Sequence, residues 1–396
     1  MSNPIELQKS NVSIKLLLPL LASIIAMSPL AIDLYLPAMP VIAEEYNSSI
    51  EIVQNTLSIY LIGYALGLLV FGPLADQYSR RLLVLIGIGG FLIASLALPF
   101  SQTIEQFMAL RFIQAFISSA ATVVVPGTIR EYYGANSAKG FSYVSMIMMV
   151  APMIAPSIGS ALLLAHSWQL IFYVLALYCL TVFIVTAKFL PEVSRSSPVV
   201  SMSFIQRYKI VLAHGKARCD LISIVLISLA FFAYITAIPF VYLTVFNVSE
   251  YHFSLLFAAN VLALMTAHFI NTRFVIKLGS RRMQTYGLLT AIVMSTGLFV
   301  VTYFQLPIYY TVLTLLPLMG SFSMIAVNSE ALLLMEFSEQ AGTATAVMGT
   351  LRFGFGALAG PILTLFYDGS ALPFAILMWV SVLLVFATQI YRWLKQ

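Results

Sequence analysis

Twelve apolar stretches, each about as long as a bilayer is thick, constrain this chain more than any other feature. A membrane-spanning helix needs about 20 mostly apolar residues. Of the 396 residues, 61% are hydrophobic and only 9% are charged, whereas soluble proteins carry about 25% charged residues. The stretches therefore predict an all-α polytopic membrane protein with twelve transmembrane helices, over residues 14–42, 52–74, 82–101, 104–130, 139–164, 168–190, 219–244, 253–276, 282–303, 307–334, 341–366 and 371–393.

The charged residues between these stretches predict the orientation of the chain. With the N-terminus inside, 18 of the 20 basic residues fall at cytoplasmic connections or ends: Lys9, Lys15, Arg80, Arg81, Arg130, Lys139, Lys188, Arg195, Arg207, Lys209, Lys216, Arg218, Arg273, Lys277, Arg281, Arg282, Arg392 and Lys395. The opposite connections carry Glu44, Glu45, Glu51, Glu105, Glu250 and Asp368. Because basic connections stay in the cytoplasm, both termini are predicted to be cytoplasmic. The net charge of +5 then reflects topology, with anionic lipid rather than nucleic acid as its expected neighbour.

The chain also divides into two similar parts. A Ser-rich, basic stretch separates six apolar stretches from six, which predicts an N-terminal six-helix half over residues 1–190, a cytoplasmic linker over 191–218 and a C-terminal six-helix half over 219–396. A short basic turn follows the second stretch of each half, at 72–81 and at 271–282. Two parallel six-helix repeats are the plan of many secondary transporters.

Other classes of membrane protein lack support in the residues. The two cysteines imply no disulfide framework, and the four histidines have no metal-ligand spacing. A membrane enzyme would need a catalytic dyad or a metal cluster, and a channel would need a filter loop or a ring of charges. Neither pattern is present, so we expect no enzyme, no bound metal and no cofactor.

Asp33 is the carboxylate that the sequence places well inside a membrane helix. A charge at that depth costs between ~3 and ~15 kcal/mol, depending on how far water and bending of the side chain relieve it. Asp33 lies about ten residues, or ~15 Å, from the outer end of its stretch, and Arg111 lies ~10 Å into the fourth stretch. Because arginine does not practically lose its proton, a coupled pair would have Asp33 as the titrating member. The alternative is a static pair that only holds two helices together.

Three motifs carry a resemblance to a known family. Gly72, Asp76, Arg80 and Arg81 match the pattern G-x-x-x-D-x-x-G-R-R/K, with Ser79 in place of the second glycine. Arg111 and Gln114 match R-x-x-Q-G with alanine in place of the glycine. Pro152, Pro156 and Gly159 lie in a stretch that matches G-x-x-x-G-P-x-x-G-G at Pro156 and Gly159, with small residues in place of the other glycines. The chain thus resembles the major facilitator superfamily, and the segment 33–40 is most similar to the bicyclomycin/chloramphenicol-resistance (Bcr/CflA) branch of its drug:proton antiporters.

The resemblance implies a twelve-helix exporter of small-molecule drugs in the bacterial inner membrane, acting as a monomer with the proton as coupling ion. It implies that Asp33 and Arg111 couple protons, that Pro152, Pro156 and Gly159 form the antiporter motif, and that Gly72, Asp76, Arg80 and Arg81 gate the cytoplasmic side. The arginines of that gate are expected to pair with carboxylates or carbonyls of the opposing half. An ordinary positively charged loop is the alternative. Gly63 and Gly67 form a stripe that favours helix packing.

The substrate site is predicted from residue type, because drug pockets are apolar and aromatic with few polar anchors. We expect it to include Tyr35, Met39, Tyr60, Tyr64, Gln114, Tyr234, Tyr242, Asn260 and Arg352. Each aromatic residue has packing or lipid contact as its alternative. Arg352 falls near the middle of the eleventh stretch. Three roles are open for it: contact with substrate, balance of the charge of Asp33 across the cavity, or a bond to a purely structural partner. Glu330 is expected at the cytoplasmic surface, solvated or paired with a loop arginine.

The predicted function is proton-coupled antiport of small amphipathic drugs, such as phenicol-type antibiotics, by alternating access. The alternative is proton-coupled transport of a native metabolite, with drug export incidental.

Overall fold

The computed structural model describes residues 14–133, 137–165, 167–190, 204–337 and 341–395, and in these ranges the regular structure is entirely helical. The helices are α1 (Ile14–Asp33), α2 (Met39–Glu45), α3 (Ile50–Gln77), α4 (Arg80–Ala97), α5 (Ile104–Thr122), α6 (Val125–Tyr133), α7 (Ser137–Ala165), α8 (Trp168–Phe189), α9 (Phe204–Ala213), α10 (Gly215–Pro239), α11 (Glu250–Leu278), α12 (Ser280–Tyr303), α13 (Ile308–Glu336), α14 (Ala341–Gly356), α15 (Ala359–Leu365) and α16 (Leu372–Lys395).

Eleven stretches of the described residues are long and apolar enough to cross a membrane. They agree with all the predicted stretches except the fifth. The fifth corresponds to α7, in which the apolar helix is the shorter Ala151–Ala165. The all-helical membrane fold is therefore confirmed, while the count of twelve spans stays a prediction. The second part of the predicted linker is also helical, since it contains α9 and the start of α10.

Several predicted spans are broken rather than continuous helices. The first span stops at Asp33, continues as a short 3-10 turn over Leu36–Ala38 and resumes as α2. Proline has no N–H, so Pro37 cannot complete the helical hydrogen bond to the carbonyl of Asp33, four residues earlier. The fourth span is divided into α5 and α6, the eleventh into α14 and α15, and the seventh ends in a π-helical turn over Phe240–Val245.

The helices form two groups that pack mainly within themselves. In the first helix group (α1–α8), α5 packs along α3 and α4, and α8 packs on α4. In the second helix group (α10–α16), α13 packs along α12, and α10 packs on α13, α14 and α16. The predicted packing role of the glycine stripe is confirmed, because a Cβ at Gly63 would lie 2.5 Å from the carbonyl oxygen of Phe112, and one at Gly67 only 2.4 Å from that of Phe116.

The two ends of the bundle differ in charge. At the acidic end, Glu45 accepts hydrogen bonds from the side chains of Trp168 and Gln169, and Glu51 and Glu250 lie at the first turns of α3 and α11. At the basic end, α4 and α12 begin with the arginine pairs 80–81 and 281–282. The groups contact each other mainly through α3 with α14 and α15, and through α7 with α11. These contacts enclose the space in which the candidate site lies.

Candidate functional site

A cavity of about 500 Å³ lies between the two helix groups. Of the residues that the sequence predicts for the site, its wall includes Asp33, Tyr64, Pro152, Tyr234, Asn260 and Arg352. The rest of the wall is mostly apolar, with several phenylalanines from α10, α11 and α13. An apolar chamber with a few polar groups suits amphipathic ligands.

Asp33 is the last residue of α1 and lies in the deep wall of this cavity, with only 3% of its surface exposed. The helix ends there because of the following Pro37, as described above. The neighbouring residue Leu34 packs its carbonyl against Gly159 of α7, where an added Cβ would approach the oxygen to 1.9 Å. Gly159 of the antiporter motif therefore lets α7 contact the backbone directly beside Asp33.

Arg111 is fully buried on α5, and its guanidinium lies between two tyrosine rings. Its central carbon is 4.5 Å from the ring centre of Tyr35 and 4.4 Å from that of Tyr60. Arg111 also donates to the side-chain oxygen of Gln114 at 2.8 Å, and Gln114 in turn donates to Ser95. Its Nε and Nη2 atoms have no hydrogen-bond partner among the described residues. A buried cation is thus held by aromatic faces, which are worth about 2 kcal/mol each when desolvated.

The direct Asp33–Arg111 ion pair that the sequence suggests is not formed in this structure. Tyr35 takes its place as the shared neighbour: its ring covers Arg111, and it lies within electrostatic range of Asp33 as well. The hydroxyl of Tyr35 is 3.0 Å from that of Thr56 on α3.

The predicted tyrosines of α3 have different surroundings although they are four residues apart. Tyr60 is completely buried and donates to Ser28 of α1 at 3.0 Å, beside Arg111. Tyr64 donates to Thr122 of α5 at 2.8 Å and presents its ring to the cavity, 4.7 Å from the ring of Phe353. Of the two, Tyr64 alone is placed to contact a ligand in this conformation.

The second helix group supplies the facing wall. Tyr234 stacks on Phe257 with 5.9 Å between ring centres, and its buried hydroxyl has no hydrogen-bond partner among the described residues. Asn260 donates to the carbonyl of Leu256 at 2.9 Å. The hydroxyl of Tyr234 is inaccessible in this conformation, and a buried polar atom without a partner is costly.

Some predicted substrate residues do not line the cavity. Tyr35, Tyr60 and Gln114 surround Arg111 instead. Met39 is buried on α2, and Tyr242 is buried on the π-helical turn with its hydroxyl beside Asn260. Their contact with substrate stays a prediction, whereas their position behind the cavity wall is a feature of this structure.

Arg352 has a carboxylate partner that the sequence does not suggest. Its Nη2 atom lies 3.2 Å from an oxygen of Glu330 on α13. Both side chains are about one-third exposed, and both line the cavity. The expected pairing of Glu330 with a loop arginine is therefore wrong, because its partner is within the eleventh predicted span. This pairing depends on how far α13 and α14 are shifted along each other, which the spacing of residues along the chain does not show.

The remaining residues of the antiporter motif are divided between the cavity and the group contact. Pro152 lines the cavity. The carbonyl of Pro156 accepts a hydrogen bond from Ser254 of α11 at 3.2 Å, and the hydroxyls of Ser160 and Ser254 are 2.7 Å apart. This part of α7 thus joins the two helix groups at the acidic end.

The predicted gate lies at the basic end. Among the described residues, no heavy atom lies within 4 Å of an added Cβ at Gly72, so no helix packs closely on this glycine in the present conformation. Arg80 lies beside Gly127 of α6, and Arg81 donates to the carbonyl of Ala187 on α8. In this conformation Arg81 therefore bonds within its own helix group, to which α8 belongs, and its pairing with the opposing half in another conformation stays a prediction. The side chain of Asp76 lies outside the described residues.

Asp220 is a buried carboxylate that sequence reasoning missed. It is 2% exposed at the basic end and accepts from Arg281 at 2.7 and 3.0 Å, from Arg392 at 3.1 Å and from Gln284 at 3.0 Å. This network joins α10, α12 and α16. Its position at the boundary between the predicted linker and the seventh stretch concealed it, although a carboxylate beside a run of basic residues was a usable signal.

A bundle of apolar helices around a cavity, with a buried carboxylate in its wall and walls from two helix groups, has the architecture of a membrane transporter. Comparison with known proteins supports that class. The chain matches the family model described as Major Facilitator Superfamily over residues 21–361. It also resembles a crystal structure of the nucleoside transporter NupG, with a TM-score of 0.76 over 96% of this chain and 99% of that one. At 14% identity this likeness shows the fold alone.

Three relatives are informative. The chain is 30% identical to the "Uncharacterized MFS-type transporter YdgK" of Bacillus subtilis, over 91% of each chain. It is 28% identical to the "Bicyclomycin resistance protein homolog" of Haemophilus influenzae, over 90% of each chain. It is 29% identical to the "Chloramphenicol resistance protein" of Pseudomonas aeruginosa, over 68% of this chain and 66% of the relative. The chain belongs to the Major Facilitator Superfamily, and it is a transporter and not an enzyme.

Proposed function

We propose that this protein exports small amphipathic drugs, phenicol-type antibiotics among them, across the bacterial inner membrane in exchange for protons. The observation that carries the proposal is the position of Asp33, a buried carboxylate in the wall of a largely apolar cavity between two helix groups. The names of the bicyclomycin and chloramphenicol resistance relatives support the substrate class. The protein acts as a monomer in the lipid bilayer.

The orientation follows from the charges. The basic end faces the cytoplasm and the acidic end faces the outside, because basic connections are retained inside. The two helix groups correspond to the halves 1–190 and 219–396. Glu330 and Arg352, towards the basic end, are about one-third exposed, while Asp33 is closed off by contacts at the acidic end. In the proposed cycle this conformation is the one that opens towards the cytoplasm.

The transport cycle uses Asp33 as the proton carrier. When the cavity faces outwards, Asp33 takes up a proton from the acidic side as the drug leaves. When it faces inwards, Asp33 releases the proton and a drug molecule enters. Each proton that moves down ~100 mV contributes about 2.3 kcal/mol. A nearby cation favours the ionised carboxylate and burial favours the protonated form, so a change in the distance to Arg111 between the two conformations would load and unload Asp33.

The two motifs at the ends provide the gates. Gly72, Asp76, Arg80 and Arg81 close the basic end when the cavity faces outwards and release it when the cavity faces inwards. Pro152, Pro156 and Gly159 bring α7 against α1 beside Asp33, so the closure of the acidic end is mechanically linked to the proton site.

The test replaces the carboxylate by its neutral isostere. Asp33→Asn is expected to abolish drug resistance and to remove the proton release that a drug causes in acidified, everted membrane vesicles, because no group is left to exchange the proton. The matched control is Asp368→Asn, which neutralises an exposed aspartate outside the spans and should leave both readouts intact. Unchanged resistance of the Asp33→Asn variant at equal membrane abundance would exclude the proposal.

A further inference from the structure

The pair formed by Glu330 and Arg352 is unusual for two charges inside predicted membrane spans. Arg352 and Glu330 share one hydrogen bond of 3.2 Å, and their side chains are 33% and 35% exposed. By contrast, the buried Asp220 accepts four hydrogen bonds from three side chains. A partly exposed pair with a single contact contributes less to stability than this fully bonded carboxylate. Structural stabilisation therefore does not explain why both charges are there.

The position of the pair suggests another role. Both side chains line the cavity that contains Asp33, one from α13 and one from α14. Ionisable residues within membrane spans usually mark a substrate or ion pathway. Most of the bonding capacity of both groups is unused in the cavity, since a carboxylate offers about four acceptor sites and a guanidinium five donors.

The pair also decides the net charge of the cavity. Among the described residues of its wall, the acidic and basic side chains are Asp33, Glu330, Arg352 and His268, whose Nδ1 atom is 2.9 Å from the hydroxyl of Ser323. With His268 neutral, Glu330 and Arg352 cancel each other, so the cavity carries the charge of Asp33 alone. Removal of either partner shifts that net charge by one unit, in opposite directions, whatever the protonation state of Asp33.

We propose that the Glu330–Arg352 pair selects substrates by charge: it keeps the α13–α14 wall neutral, so the cavity admits neutral and singly positive amphipathic molecules and rejects organic anions. This inference rests on the proposed function, in which the cavity is the drug site and Asp33 is ionised when the drug enters. Because the wall is largely apolar, screening is weak, and one added charge changes the affinity for a monovalent organic ion on the order of tenfold.

The experiment uses two probes of nearly equal size and opposite charge, tetraphenylphosphonium and tetraphenylborate. Their equilibrium binding to the purified full-length protein is measured at pH 8, where an ordinary histidine is neutral. The affinity of each probe is compared between protein variants, so the partition of the probe into detergent affects both values equally. The wild-type protein is expected to bind the cation at least about tenfold more tightly than the anion.

The variants shift the selectivity in opposite directions. Glu330→Gln should weaken cation binding about tenfold and strengthen anion binding, because Arg352 is then unpaired. Arg352→Gln should do the reverse. The double variant should restore the wild-type ratio to within about threefold, since its wall is again neutral. The matched control is Glu336→Gln, six residues further along α13, where the carboxylate is 39% exposed and does not line the cavity; its ratio should not change.

Several outcomes would overturn the inference. A purely structural pair would weaken both probes together in both single variants, without recovery in the double variant. Equal affinity of the wild-type protein for the two probes would also exclude charge selection, even if a single variant fails to fold. Failure of this inference is distinguishable from failure of the proposed function: in the first case Asp33→Asn still abolishes drug-dependent proton release, and in the second it does not.

Discussion

The acidic and basic ends of the bundle are held together in different ways. At the acidic end the two helix groups bond directly to each other, through the hydroxyls of Ser160 and Ser254 at 2.7 Å and through the N–H of Gly360 and the hydroxyl of Ser58 at 3.1 Å. At the basic end the arginines bond within their own group. Arg81 reaches a carbonyl of α8, and Arg281 reaches Asp220 of α10.

This difference indicates which contacts a conformational change has to break. The bonds across the acidic end are neutral hydrogen bonds, each worth about 0.5–1.5 kcal/mol net, so a few of them can be exchanged at modest cost. The charged contacts at the basic end lie within one helix group and need not change. Two rigid groups joined by weak reversible contacts suit the rocking motion that alternating access requires.

A disulfide across the acidic end should have the largest effect. We expect the pair Ser160→Cys and Ser254→Cys, in a protein whose native Cys179 and Cys219 are replaced by alanine and serine, to form a disulfide on oxidation. The two hydroxyls are 2.7 Å apart, which is compatible with the Cβ separation of about 3.5–4.5 Å that a disulfide needs. Drug efflux from proteoliposomes should fall to background because the acidic end can no longer open, and a reductant should restore it.

Each single-cysteine variant is the control for this cross-link and should be indifferent to the oxidant. Full efflux from protein that is completely cross-linked would show that the acidic end does not open during transport, and the contrast between the two ends would then lose its functional meaning.

Loss of the carboxylate at the basic end should reduce stability rather than transport selectivity. Asp220→Asn removes the negative charge and one of the two acceptor oxygens that bind Arg281 and Arg392, and breaking a buried pair costs about 3–5 kcal/mol. The loss here should be nearer the lower value, because Arg281 is 38% exposed and can turn towards water. Chemical or thermal unfolding in detergent, followed by tryptophan fluorescence, measures it.

Arg392→Lys, which keeps the charge at that position, should lose clearly less stability than Asp220→Asn. Equal losses would mean that helix packing, and not the carboxylate, holds α10, α12 and α16 together at this end.

A methyl group at Gly159 should weaken the packing at the acidic end and reduce efflux without abolishing it. Gly159→Ala places a Cβ 1.9 Å from the carbonyl oxygen of Leu34, so α7 or the break after α1 must move. Forced overpacking costs about 1–3 kcal/mol, and efflux should fall several-fold because Asp33 is the neighbouring residue. Resistance assays and unfolding midpoints test the two effects.

Gly72→Ala is the matched change at the basic end and should have the smallest effect on stability. No heavy atom lies within 4 Å of its Cβ position, and alanine favours a helix over glycine by about 1 kcal/mol. We expect an unchanged or slightly higher unfolding midpoint together with reduced efflux, because a gate at Gly72 must close in the other conformation. Unchanged efflux would argue against the predicted gate.

The sequence predicted the membrane fold well because its signals are local. A run of about 20 apolar residues has few alternatives to a spanning helix, and the eleven stretches found agree with eleven of the twelve predicted. The family motifs likewise identified Gly159 and Asp33 as notable positions. The helix breaks were less accessible, because α1 continues through Pro19 and Pro29 and ends only before Pro37.

The sequence did not reveal which residues the charged side chains contact. Depth along two helices suggested that Asp33 and Arg111 meet, but depth gives no rotation about the helix axis, and Arg111 instead faces the rings of Tyr35 and Tyr60. The same uncertainty concealed the pair of Glu330 and Arg352.

The sequence by itself therefore determined that this chain is a helical membrane transporter and that Asp33 is an expensive buried carboxylate. Only the tertiary structure decided which charges are compensated, by what, and which residues line the cavity. The physical reason is that hydrophobic length acts along one helix at a time, whereas electrostatic pairing depends on the rotation and offset of helices that lie far apart in the chain.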